Sequence, residues 1–155
     1  MDKQLELDVI KKTLCEVYEQ RIPFNKIIGI RIDSLSADNT RIRFQMKKKL
    51  IGNYVKEVLH GGVISAVLDV AGGITASFGV LLKMVGEPFE EIERRLSKIG
   101  TIDLRVDYLR PGAGKYFEST SSIMRAGRRV TVTRMELVND EGLLVAVGTG
   151  TYLVG

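Results

Sequence analysis

The stretch Leu59–Leu82, LHGGVISAVLDVAGGITASFGVLL, decides how the rest of the chain must be arranged. It holds no lysine or arginine, one carboxylate at Asp69, and five glycines. Its length alone would admit a membrane span. An aspartate near the middle of such a span costs about 2.5–3.5 kcal/mol, and glycines weaken an isolated helix. The flanking sequence reads as strands that need an apolar object to enclose. The stretch is therefore expected to be a helix buried on nearly all sides within a soluble protein, with no membrane span.

Upstream, Leu7, Ile10, Leu14 and Val17 recur at helical spacing, and Pro23 ends that helix. Ile28, Ile30 and Ile32 alternate with Gly29, Arg31 and Asp33, a strand of period two. The turn-rich SLSADNT at 34–40 joins it to a second strand over 41–47, making a hairpin. Downstream, Pro88 opens a short helix through Ser97, with Phe89, Ile92 and Leu96 as its buried stripe and Glu90/Arg94 and Glu91/Arg95 as surface pairs. Four strands follow: 102–108, 116–125, 130–138 and 143–154. Consecutive strands joined by short turns make an antiparallel sheet. The expected class is α+β: a long central helix wrapped by a curved antiparallel sheet, with an N-terminal helix and a short extra helix.

With 155 residues and no linker, repeat or low-complexity tract, residues 1–155 read as a single domain. One cysteine, Cys15, excludes an internal disulfide and cysteine-rich zinc modules; one histidine, His60, excludes metal sites built on several imidazoles. No metal and no cofactor are called for. The net charge of +4 leans toward anionic ligands, but there is no tryptophan and aromatics are sparse, so nucleic acid is the weakest partner. The N-terminus MDKQLELDVIKK lacks the apolar run of a secretory signal, which makes the cytoplasm the expected compartment.

Chemistry concentrates around His60-Gly61-Gly62 and Asp69. The first N–H groups of a helix lack internal partners and its dipole favours negative charge there. Two glycines let a ligand reach those groups, so the Gly61 end can polarise a carbonyl and hold the oxyanion formed on attack. The same glycines would also serve tight packing alone. Asp69 reads as a nucleophile or general base, or as a helix face that meets water. His60, at the positive end of the dipole, suits a neutral, hydrogen-bonding ring better than a general acid. Ser65 is one turn from Asp69, but its surroundings are not a GxSxG elbow. Gly61 and Asp69 lie about 12 Å apart along one helix. If both touch one carbonyl, two chains must meet, with Gly61 from one and Asp69 from the other across a two-fold axis.

His60-Gly61-Gly62, Asp69 nine residues after the histidine, the TIDLRVDYLRPG segment at 101–112, the Gly127-Arg128 turn and the VAVGTGTY strand at 145–152 together resemble the hotdog-fold acyl-CoA thioesterases. Within that family the likeness is to the phenylacetate-pathway, PaaI-like branch, over roughly residues 25–154. The resemblance implies hydrolysis of an acyl-CoA thioester by a homodimer or a dimer of dimers. Gly61 N–H would polarise the carbonyl, and Asp69 of the partner would attack it or activate water. Thr101 would orient the nucleophile, and Asn53 would hydrogen-bond near the reacting carboxylate or water. Asn53 lies seven residues before His60, one more than the family spacing, and the short 88–97 helix is an addition to the family pattern. Gly62 would lie against the substrate, and Arg110, Arg128 and Arg129 at hairpin turns would meet coenzyme A phosphates. The alternatives are a non-catalytic hotdog protein that binds acyl-CoA or an apolar ligand, and a hotdog dehydratase or hydratase; for the latter no His-Phe-Pro stretch occurs.

Overall fold

A computed structural model of the chain describes residues 3–155. The N-terminal helix α1 (Lys3–Glu16) continues into one π-helical turn at Val17–Arg21. Pro23 then begins a second short helix, α2 (Pro23–Ile28), where the sequence had suggested only a stop. Proline's fixed φ and missing N–H suit the first helical position as well as they suit a break. Gly29 closes α2 in the left-handed conformation, φ 81°, with its N–H on Asn25 O at 2.8 Å. Ile28 therefore ends a helix rather than beginning a strand, and β1 is only Arg31–Ser34.

The remaining elements are β2 (Thr40–Gln45), a 3-10 turn at Lys48–Leu50, β3 (Ile51–Asn53), β4 (Val58–Leu59), α3 (Gly61–Leu81), α4 (Phe89–Leu96), β5 (Gly100–Tyr108), β6 (Tyr116–Ala126), β7 (Val130–Asn139) and β8 (Leu144–Leu153). The main sheet is antiparallel throughout, in the order β1-β2-β6-β7-β8-β5, and wraps α3 as expected of the hotdog fold. One connection differs from the simple reading. β5 and β6 do not form a hairpin: β5 lies at the far edge beside β8, and the 109–115 loop returns the chain to β6. That loop passes the start of α3, where Leu59 N–H donates to Gly112 O at 3.0 Å. The small β3–β4 ribbon delivers His60 to the same place.

Enclosure of α3 is uneven. From Ala71 to Leu81 every residue is buried. In the first half Ile64, Val67 and Leu68 face the sheet, while Gly62 is exposed and Ser65, Ala66, Asp69 and Val70 are only half-buried. α3 is the one helix among the described residues long and apolar enough to cross a bilayer, and most of it is core. Leu68 and Val67 pack on Phe44, Phe117, Met135 and Leu137, with the Phe44 and Phe117 rings stacked at 5.3 Å. Each such side chain contributes about 1.5–3 kcal/mol when buried. Thr75 and Ser77 lie within the buried stretch, and their hydroxyls donate to carbonyls one turn back, Ala71 O and Gly73 O.

α4 departs from its expected packing. Ile92 and Leu96 rest against the α1–α3 cluster, but Phe89 is 67% exposed. Its ion pair runs from Arg94 to Glu91, with Nε at 2.8 Å, rather than at i,i+4, because Arg95 turns to Val154 O at 2.8 Å.

Close approach of helix to sheet depends on Gly72. A Cβ there would press into the Tyr152 hydroxyl and come within 2.6 Å of Thr133 Oγ1. Gly72→Ala is expected to destabilise the fold by about 1–3 kcal/mol despite its better helix propensity. A lower urea midpoint at fixed protein concentration is the readout; an unchanged midpoint would mean that Tyr152 can step aside.

Candidate active site

His60 occupies the N-cap of α3 in an extended conformation, φ −63° and ψ 135°. Its Nδ1 accepts the Gly62 N–H at 2.8 Å, so the ring proton belongs on Nε2 and the imidazole serves as a cap. This arrangement consumes one of the free amides at the helix start. The Gly61 N–H, by contrast, has no acceptor among the described residues. The Gly61 carbonyl accepts from the Tyr108 hydroxyl at 3.1 Å, which ties the first helical peptide to the end of β5. Gly52 makes room for the cap, since a Cβ there would sit 2.5 Å from His60 Cα. A cleft of about 380 Å³ opens beside this corner, lined by Gly61, Ile64, Tyr108, Arg110 and Gly112 among others.

Asp69 stands two turns further along. Its Oδ1 accepts the Thr101 hydroxyl at 2.9 Å and the Tyr152 hydroxyl at 3.1 Å, and the same Tyr152 hydroxyl lies 3.1 Å from Asp69 O. Thr101 and Tyr152 are direct cross-strand partners on β5 and β8, so both hydroxyls leave the same face of the sheet and converge on one oxygen. Oδ2 has no protein partner among the described residues. The carboxylate is thus oriented through one oxygen and open at the other. Burial pushes the Tyr152 phenol far above its usual range, and the charge of Asp69 adds to the effect. Tyr18 is raised chiefly by burial; its hydrogen bond with Ser77 opposes the shift and the Asp69 charge adds to it.

The structure thus joins Thr101 to Asp69, and gathers His60, Gly61, Gly62 and Arg110 at the helix start. It brings neither group to the other within one chain, because α3 separates them. Asn53 ends β3 and is exposed; its Oδ1 accepts the N–H groups of Val55 and Lys56 at 3.1 Å each, an Asx turn rather than a contact with Asp69. Arg110 Nη1 donates to Leu144 O at 3.0 Å. Arg128 and Arg129 lie at the opposite end of α3, about 30 Å away along the helix axis, beside a cleft with Lys83 and Arg95. Among the described residues no three His, Cys, Asp or Glu side chains are grouped to hold a metal. Tyr152 and Tyr108 are the functional candidates that spacing alone did not single out. Tyr152 carried one available signal, its inward position in the alternation of the last strand.

Residues 56–146 match the thioesterase superfamily. The chain is 40% identical over 155 residues to an Escherichia coli K12 protein named medium/long-chain acyl-CoA thioesterase YigI, with all of both chains covered. It is 46% identical to a Shewanella oneidensis protein whose crystal structure is described as related to the thioesterase superfamily, at a TM-score of 0.90 over 97% of this chain and 98% of that one. The Escherichia coli PaaI protein from the phenylacetic acid degradation operon superposes at a TM-score of 0.74 with 18% identity, over 93% and 92% of the two chains, a likeness of fold.

The shift of Tyr152 has a pH consequence. Its folded pKa lies above the unfolded value of about 10, so its contribution is complete below that pH and declines as pH rises past it. Stability measured by urea unfolding should therefore fall above about pH 10, and Tyr152→Phe should make that fall shallower while costing stability at neutral pH. Equal slopes in the two proteins would contradict the assignment.

Proposed function

The chain belongs to the thioesterase superfamily, and on that premise we propose that it hydrolyses medium- and long-chain acyl-CoA thioesters as a two-fold symmetric homodimer. Each active site takes Gly61 from one subunit and Asp69 from the other. The observation that carries the reading is the division along α3: an unclaimed amide at its start and an oriented, half-open carboxylate two turns on. Both belong to the first half of the helix, whose outer side this chain leaves uncovered at Gly62, Ser65, Ala66 and Asp69. Antiparallel packing of two such helices places each Gly61 against the partner's Asp69 and yields two equivalent sites. The chain's 40% identity to a medium/long-chain acyl-CoA thioesterase over its whole length supports the substrate class.

The thioester carbonyl oxygen points at the Gly61 N–H, where the helix dipole favours the negative charge that develops on attack. His60 holds the first turn through Gly62, and Tyr108 holds the Gly61 peptide. Asp69 Oδ2 takes a proton from water as the water oxygen adds to the carbonyl carbon. Collapse of the tetrahedral intermediate breaks the C–S bond, releasing the free acid and the coenzyme A thiolate, which takes the proton held on Asp69 Oδ2 and so restores the carboxylate. A direct attack by Oδ2, giving an acyl-aspartyl anhydride that water then cleaves, uses the same orientation. Thr101 and Tyr152 hold Oδ1 in either case. The Asn53 Nδ2, left free by the turn that occupies Oδ1, is available to the reacting water. Gly62 leaves the backbone open to the substrate. Arg110, beside the Gly61 cleft, supplies a cation for the coenzyme A phosphates, whereas Arg128 and Arg129, about 30 Å along the helix, lie beyond the reach of that corner within one chain.

Thiol release from acetyl- through palmitoyl-CoA, with oligomeric state measured alongside, tests this reading. Turnover is expected on medium and long chains. Asp69→Asn should lower kcat/KM about a thousandfold, equivalent to about 4 kcal/mol, in a folded dimer. A folded protein that binds acyl-CoA without turnover would replace the enzyme reading with that of a binding protein.

A further inference from the structure

A third cleft, of about 610 Å³, lies between the N-terminal helix, α4 and the buried half of α3. That volume is in the range of about 300–1,000 Å³ typical of small-molecule sites. Ser77 and Leu81 of α3 form part of its lining, with Leu14 and Val17 on one wall and Ile92 and Leu96 on the other. α4 has no fully buried residue, and Phe89 and Val9 at the cleft are 67% and 52% exposed. A helix whose apolar stripe ends over an open space leaves that space suited to an apolar occupant.

The cleft begins at Ser77, about two turns of α3 beyond the reacting group. At its inner end the Tyr18 hydroxyl meets Ser77 Oγ at 3.2 Å. A Cβ on Gly73 would lie 3.7 Å from that hydroxyl and 3.6 Å from Tyr152, whose own hydroxyl holds Asp69. Asp69, Gly73, Ser77 and Leu81 follow one another at four-residue intervals, spanning about 18 Å of helix. The lining includes Glu6, Glu87 and Glu93, while its one cation, Arg21, is paired with Glu16 at 2.8 Å. Such charges discourage an anionic group and leave hydrocarbon as the favoured guest. Glu6 also accepts the Gly86 N–H at 2.7 Å, tying α1 to the connection that carries α4.

We propose that this cleft holds the distal part of the acyl chain, so that the subunit supplying Asp69 also measures chain length between its N-terminal helix and α4. The assignment rests on the acyl-CoA reading above and adds to it the residues that set the chain-length limit. Val17 and Ile92 face the guest from opposite walls, and neither is fully buried, so a larger side chain at either can be accommodated by the fold.

The test compares wild type, Ile92→Trp and Val17→Trp on hexanoyl-, dodecanoyl- and palmitoyl-CoA, with thermal unfolding as a folding control. Palmitoyl-CoA kcat/KM should fall about tenfold or more while hexanoyl-CoA stays within about twofold. An equal fall at every length in folded variants, or no fall on palmitoyl-CoA, overturns the proposal. Binding of a fluorescent long-chain alcohol, which carries no charge against the carboxylates of the lining, is the second readout and needs no turnover. If the wild type hydrolyses nothing yet binds the probe, and tryptophan at 92 or 17 blocks it, hydrolysis fails as a reading and the cleft assignment stands. If the wild type does not bind the probe, the cleft assignment fails.

Discussion

An apolar helix of 21 residues with a single carboxylate in it has to be covered except beside that carboxylate. The rest of the fold follows from this requirement. Six strands curve around α3, and the glycines at 72 and 148 let helix and sheet approach to the distance that Tyr152 and Met135 require. Ala71 to Leu81 disappear into the interior. Asp69 sits at the edge of that burial, where β5 and β8 can each send it a hydroxyl. A buried carboxylate with no donor would be costly. Two donors on one oxygen make Asp69 tolerable in the fold and leave the second oxygen without a protein partner among the described residues.

The same helix supplies the opposite pole. Its first amide is free because His60 caps the second, and its dipole makes that corner receptive to an oxyanion. Rigid spacing then separates electrophilic and basic groups by two turns, too far to share one carbonyl within a chain. In the proposed homodimer, helix–helix packing across a two-fold axis would bring opposite poles together twice. The uncovered outer side of the first half of α3, made of Gly62, Ser65, Ala66 and Asp69, is the surface that such packing would use. The second half carries no such opening, and its neighbour is instead the apolar cleft under α4.

Much of this was legible in the residues. The composition of 59–82 identified the central helix, and period-two alternation located the four C-terminal strands. Asp69, Gly61 and His60 stood out because a lone carboxylate and paired glycines in an apolar run demand an explanation. What escaped was set by non-local pairing. Thr101 and Tyr152 converge on Asp69 because β5 joins β8 rather than β6, placing Thr101 opposite a residue 51 positions away. Tyr108 reaches Gly61 through the same edge strand. Local chemistry misled in two places. Pro23 starts a helix as readily as it ends one, and Phe89 kept helical spacing with α4's stripe yet faces an unfilled space. Asn53 carries the side chain that its expected role requires, but its oxygen closes its own turn.

The two-subunit active site is tested most directly by mixing inactive partners. Gly61→Pro removes the amide N–H while suiting the first helical position, and His60 already has the extended backbone that precedes proline. Gly61→Pro and Asp69→Asn homodimers should each be inactive. After subunit exchange in equal amounts, half the dimers are mixed and each mixed dimer regains one intact site, restoring about a quarter of wild-type activity. No recovery, with exchange verified by mass, would place Gly61 and Asp69 in the same subunit's site and contradict the account.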